Sequence, residues 1–192
     1  MTLDQQQPNE NAGTSGWPFG DGVGESKVGT TFTPSVTAAI AKFTFKLRKF
    51  GTPSDNVKVE LYTNLADAPN TLLATATEQV AGTDIPAGTT FTEYDFNFPN
   101  GPQLTAETTY WIVVSRTGSL DANNYYSVKD YLSSLDGYPR GVLHDLNSGV
   151  WTQYDGPNFN DFYFKEYCIT PSGVVSSVPD YSFRFRDQVT AY

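Results

Sequence analysis

Lys42-Phe43-Thr44-Phe45-Lys46-Leu47-Arg48 alternates an apolar side chain with a polar or cationic one at every step. A repeat of two residues is the period of a strand and not of a helix. It puts Phe43, Phe45 and Leu47 on a buried face and Lys42, Thr44, Lys46 and Arg48 on a wet one. Val57, Val59 and Leu61 repeat the pattern against Lys58 and Glu60, and Gly51-Thr52-Pro53-Ser54-Asp55-Asn56 between them supplies turn residues. The two segments are expected to be neighbouring antiparallel strands. Tyr94, Phe96 and Phe98 alternate with Glu93, Asp95 and Asn97 until Pro99-Asn100-Gly101-Pro102 ends the run. Tyr110-Trp111-Ile112-Val113-Val114 is apolar throughout, as expected of a central strand covered on both faces. Phe162 and Phe164 alternate with Tyr163 and Lys165, and shorter candidates lie at 71–77, 124–128, 140–143 and 149–153.

Nowhere does a long stretch keep apolar residues at helical spacing. The fold class expected is all-β: an antiparallel two-sheet β-sandwich of about eight strands, jelly-roll-like, with extended N- and C-terminal arms. Thirteen Phe, 12 Tyr and 3 Trp in 192 residues, with 16 Gly and 12 Pro, suit short strands joined by turns around an aromatic interior. Residues 1–27 are rich in Gln, Asn, Gly, Ser and Pro, with Trp17 and Phe19 as their large apolar groups, and are expected to be an extended arm. Trp17 and Phe19 would anchor it on this domain or on a neighbouring subunit. Residues 28–170 form the sandwich. Residues 171–192 are a linker followed by a strand in which Tyr181, Phe183 and Phe185 alternate with Ser182, Arg184 and Arg186, suited to adding to a sheet edge within or between chains.

Charge and cysteine usage narrow the function. Twelve Lys and Arg against 21 Asp and Glu give a net charge of −9, which speaks against nucleic acid as a partner. The lone Cys168 permits no internal disulfide. The opening Met1–Gln7 is neither basic nor apolar, and the run from Tyr110 to Val114 is far too short to cross a bilayer, so no export signal and no membrane insertion are expected.

Several phrases in order along the chain resemble the choice-of-anchor R domain, a β-sandwich module of bacterial surface proteins and of phage structural or tail-associated proteins. They are Gly29-Thr30-Thr31-Phe32-Thr33-Pro34, the strand 42–49, Val57-Lys58-Val59-Glu60-Leu61-Tyr62-Thr63, Pro69-Asn70-Thr71-Leu72-Leu73-Ala74, and Leu104-Thr105-Ala106-Glu107-Thr108-Thr109-Tyr110-Trp111-Ile112-Val113-Val114. Leu3-Asp4-Gln5-Gln6 is similar to the start of such modules. The resemblance covers about residues 28–168 and implies a noncatalytic module displayed on a surface. The motif specifies a core and not a reaction: Tyr110 and Trp111 put two large rings on opposite faces of one sheet. Without a leader or sorting tail, the expected setting is a phage virion assembled in the host cytoplasm, tail-associated or capsid-decorating, with an extracellular or cell-surface setting as the alternative.

No catalytic residues, metal site or cofactor are expected. The single histidine, His144, reads as a surface or loop imidazole, and Cys168 as a small buried hydrophobe. Asp155, Asn158, Asn160 and Asp161 lack the spacing of a calcium loop and read as turn formers. Lys42, Lys46, Arg48 and Lys49 read as a solvated face, with an acidic glycan or an acidic neighbour as the alternative. The expected partners are other virion proteins and further copies of the chain, through Trp17, Phe19, Tyr181, Phe183 and Phe185. The alternative function is a carbohydrate-binding, adhesive module for a host-surface glycan. Tyr125, Tyr138, Trp151 and Tyr154 lie in polar surroundings and are its candidate ring platforms.

Overall fold

The computed structural model describes residues 1–8, 15–22, 25–133, 138–154 and 159–169. Tyr181, Phe183, Phe185 and the rest of 171–192 lie outside them. The strands are β1 (Thr2–Gln7), β2 (Gly16–Phe19), β3 (Glu25–Phe32), β4 (Ala38–Phe50), β5 (Asn56–Leu65), β6 (Ala68–Thr75), β7 (Val80–Ala81), β8 (Thr92–Asn97), β9 (Gln103–Leu104), β10 (Tyr110–Arg116), β11 (Tyr125–Ser133), β12 (Leu143–Asn147), β13 (Val150–Gln153), β14 (Phe159–Phe162) and β15 (Phe164–Ile169). A 3-10 turn, Gly82–Asp84, is the helical feature among the described residues. No helix there is long and apolar enough to cross a membrane.

Two antiparallel sheets pack face to face, as an all-β sandwich requires. One runs β1-β15-β4-β11-β14, with β2 on β11 and with β8 and β9 on β4; the other runs β13-β12-β3-β10-β5-β6, with β7 on β5. The alternating segments behave as their period dictates. Phe43, Phe45 and Leu47 of β4 are fully buried, as are Val57, Val59 and Leu61 of β5 and Ile112 and Val114 of β10. Phe32 of one sheet meets Phe43 of the other edge-on, with centroids 5.1 Å apart at 79°. Burying each such ring contributes about 2–3 kcal/mol. Strand β10 sits mid-sheet between β3 and β5.

The structure corrects the strand pairing. Strands β4 and β5 are not neighbours: they lie in opposite sheets. Gly51 turns the chain at φ 64°, where a Cβ would land on the Asn123 carbonyl oxygen, and Pro53 has no N–H to give a hairpin ladder. The crossing is then fixed by Asp55. Its carboxylate accepts Arg116 Nη2 at 2.6 Å, Arg116 Nε at 2.9 Å and the Gly118 amide at 2.7 Å. Two strand ends also move. The candidate at 140–143 begins only at Leu143, and the run through Phe162 and Phe164 is bent at Tyr163, so that β14 pairs with β11 and β15 with β4.

The described parts of 1–27 are not an arm. Strand β1 pairs with β15 and β2 with β11, within the eight-stranded sheet. A polar composition did not prevent burial because the buried side chains are bonded. Gln7 Nε2 donates to Asp161 Oδ2 at 3.4 Å, and Gln5 Oε1 accepts from the Tyr138 hydroxyl at 3.2 Å. Phe19 is fully buried and stacks on Tyr126 at 5.6 Å, so it is core and has no surface left for another subunit. Trp17 is half-buried and packs against Tyr154, with centroids 4.5 Å apart.

Candidate functional site

Period two places Trp111 and Val113 of β10 on the opposite face from Tyr110, Ile112 and Val114. On this outer face of the seven-stranded sheet Trp111 is nevertheless 0% exposed. Three neighbours cover it. His144 of β12 lies 4.2 Å from it between ring centroids, Trp151 of β13 meets it edge-on at 5.2 Å, and Asn64 of β5 accepts its indole N–H at 2.7 Å. Gly29 of β3 makes room for this: a Cβ there would stand 3.3 Å from Trp111 Cε3 and 3.3 Å from Trp151 Cζ3. Trp151 remains half-buried.

Beside this cluster opens a cleft of about 390 Å³, lined by Thr31 of β3, Thr33 just beyond it, Asn64 and Asp67 of the β5–β6 hairpin, Thr109, the segment 139–142, His144 and Gln153. Side-chain and backbone bonds fix its walls. The Thr31 hydroxyl accepts the Val142 amide at 2.7 Å, and His144 Nδ1 lies 2.9 Å from the Val142 carbonyl oxygen. Arg140 Nε donates to the Thr33 carbonyl at 2.9 Å, and its Nη2 to the Pro34 carbonyl at 3.1 Å and to Glu107 at 2.8 Å. The bond to Glu107 holds the guanidinium pKa above its ordinary value. Farther along β5, burial and the neighbouring Glu60 carboxylate push the Tyr62 hydroxyl up to about 12. The arrangement offers a flat apolar ring beside hydroxyls, amides and one carboxylate: a surface that can stack and hydrogen-bond.

A larger opening of about 590 Å³ lies at the sheet crossing, lined by residues 52–55, Arg116, 118–122 and Asn124. Its polar groups serve the fold. Beyond Asp55, Arg116 Nη1 donates to the carbonyls of Gly20 at 3.0 Å and Asn124 at 2.7 Å. Burial opposes ionisation of Asp55, and the Arg116 and Gly118 bonds outweigh it, holding its pKa below the ordinary value. Among the described residues no aromatic ring lines this opening.

The four candidate glycan rings do not converge. Trp151 borders the cleft cluster. Tyr125 lies on the eight-stranded sheet, stacked on Phe50 at 4.5 Å. Tyr138 is interior, edge-on to Phe164 at 4.9 Å with its hydroxyl bonded to Gln5, which removes it as a platform. Tyr154 packs against Trp17 and the core, and its hydroxyl donates to Asp145 at 3.0 Å. His144 is not a surface imidazole: it is 2% exposed under the tryptophans. Trp111, Asn64, Thr31 and Arg140 escaped the sequence reading as site residues. The one signal for them was the opposed pair Tyr110-Trp111.

The cations of β4 are engaged on the other sheet. Lys42 pairs with Asp95 at 2.9 Å and sits over the Tyr167 ring, Lys46 sits over Tyr163, and Arg48 is buried between Phe50 and Phe91 at 4.6 Å from each. Lys49 Nζ donates to the Gly82 carbonyl at 2.5 Å. Cys168 is buried and free, as expected.

No family model matches the chain, so the resemblance to choice-of-anchor R modules rests on the quoted phrases alone. No curated protein matches it. Among solved structures it is similar to the cysteine protease and lectin-like domains of Cwp84, a surface layer associated protein of Clostridium difficile, at 10% identity and a TM-score of 0.44. The match covers 74% of this chain and 32% of that one, so the chain spans about a third of that structure's length. A likeness of that degree says nothing about function.

Proposed function

We propose that this protein is a carbohydrate-binding, adhesive module that grips a glycan on the outer face of its seven-stranded sheet, displayed at a cell surface or on a particle. The observation that carries the reading is the Trp111–Trp151 pair, 5.2 Å apart beside a cleft of hydroxyls and amides. Pyranose rings present apolar C–H faces that stack on indoles while their hydroxyls need bonded partners. Trp111 acts as the fixed underlayer, and Trp151 is the ring with a free surface. The cleft is assigned to gripping and not to turnover. Assembly into a phage particle leaned in part on two terminal arms, and the described part of the N-terminal one pairs within the sandwich, which is why glycan binding takes precedence.

The test is a titration of the full chain with soluble oligosaccharides, followed by tryptophan fluorescence and calorimetry. Saturable quenching is expected, and Trp151→Ala abolishes it while the far-ultraviolet spectrum is kept. A chain that binds no glycan on a broad array, even at high protein concentration, overturns the reading.

A further inference from the structure

We propose that the cleft selects neutral glycans over acidic ones and that Asn64 is its directional amide donor; this rests on the glycan-binding reading above. Recognition of a sugar carboxylate or sulfate calls for a guanidinium fork or an ammonium group. Among the described residues the lining guanidinium is Arg140, and its Nε and Nη2 are already taken by the Thr33 and Pro34 carbonyls and by the Glu107 carboxylate, which offsets its charge. Asp67 adds negative charge to the lining, held there by the tight β5–β6 turn at φ 56°. The chain as a whole carries −9. An anionic sugar entering the cleft therefore meets the like charge of Asp67, and the lining cation is already paired with a carboxylate and can offset little of the lost hydration. Threonine hydroxyls and side-chain amides, by contrast, match the uncharged hydroxyls of a neutral sugar.

Asn64 has a defined role in that match. An amide has two ends that ordinarily exchange places freely in recognition. Here the Trp111 indole N–H, 2.7 Å from Oδ1, fixes which end is the acceptor. The Nδ2 end is left as a donor, and the cluster's own tryptophan aims it.

The experiment titrates the full chain with neutral hexasaccharides of glucose, mannose and N-acetylglucosamine, and in parallel with polygalacturonate and sialyllactose, across a roughly tenfold range of salt. Expected is saturable binding of at least one neutral probe with a salt-independent Kd, and none of the acidic ones. Asn64→Asp keeps an oxygen for the Trp111 N–H but removes the donor. It should weaken the neutral probe about tenfold at unchanged melting temperature and tryptophan emission. Glu107→Ala lies outside the cleft lining and removes the carboxylate that holds Arg140, so it should gain measurable binding of the acidic probes. Salt-sensitive binding of an acidic probe by the unaltered chain, quenched through Trp151, overturns the selectivity and leaves the glycan reading standing. Full affinity in Asn64→Asp removes the role given to Asn64. Silence toward every probe overturns both.

Discussion

Replacing Glu166 with Gln should stabilise the protein at alkaline pH and leave it nearly unchanged at mildly acidic pH. Glu166 of β15 is 1% exposed and lies opposite Gln5 in the register of β1 and β15. Burial, then the charge of Asp4 and a hydrogen bond with it, push its carboxyl up to about 8 from an ordinary 4.5. Asp4 is itself pinned by the amide and hydroxyl of Ser35. Between those two pH values the folded chain holds a proton that the unfolded chain has released. Stability therefore falls as pH rises through this window and levels off above about 8. At ~1.4 kcal/mol per pH unit the gap bounds the cost at about 5 kcal/mol, and relaxation around the ionised group beside the edge strand β1 reduces it to roughly 2–4 kcal/mol. Gln cannot ionise and still presents an oxygen to the Gln5 amide. Urea denaturation of both proteins across this range is the assay, read as the difference between them. Asp130, whose carboxyl burial also raises, titrates alike in both and drops out. The expected difference is near zero at pH about 5 and about 2 kcal/mol or more in favour of the variant at pH about 9. A difference that does not change with pH, or a variant less stable throughout, refutes the reasoning.

Arg116→Met strands the part-buried Asp55 carboxylate and frees the sheet crossing; a loss of about 3 kcal/mol in chemical denaturation is expected. Ala66 sits at φ 50° in the two-residue turn between β5 and β6, a left-handed position that alanine resists. Ala66→Asn should raise stability by about 0.5–1 kcal/mol, seen as a higher denaturation midpoint. Gly29→Val overfills the contact with Trp111 and Trp151. It should cost about 1–3 kcal/mol and red-shift tryptophan emission, and the shift should disappear in a Trp151→Phe background.

The strands were legible wherever one face is apolar and the other is not. Phe43, Phe45 and Leu47, and Tyr110 with Trp111, announce their sides because side-chain direction follows from neighbours in the chain alone. Strand β1 was illegible for the same reason: Gln5 and Gln7 carry no apolar signal, and their burial depends on Tyr138 and Asp161, more than a hundred residues away. Of the candidate rings only Trp151 reached the cleft cluster. Composition marks a tyrosine as able to stack, but exposure is set by whatever lies across from it, as Phe164 does for Tyr138.

By itself the sequence determined an all-β chain with an aromatic interior, a central strand at Tyr110–Val114, and a net charge of −9. Only the tertiary structure decided that β4 and β5 part into different sheets, that residues near the N-terminus complete one of them, and that side chains from β3, β5, β12 and β13 meet around Trp111. The physical reason is that a strand's period is a local steric property of the backbone. Its partner is chosen by long-range pairing, and two strands with identical alternation can satisfy that pairing in the same sheet or in opposite ones.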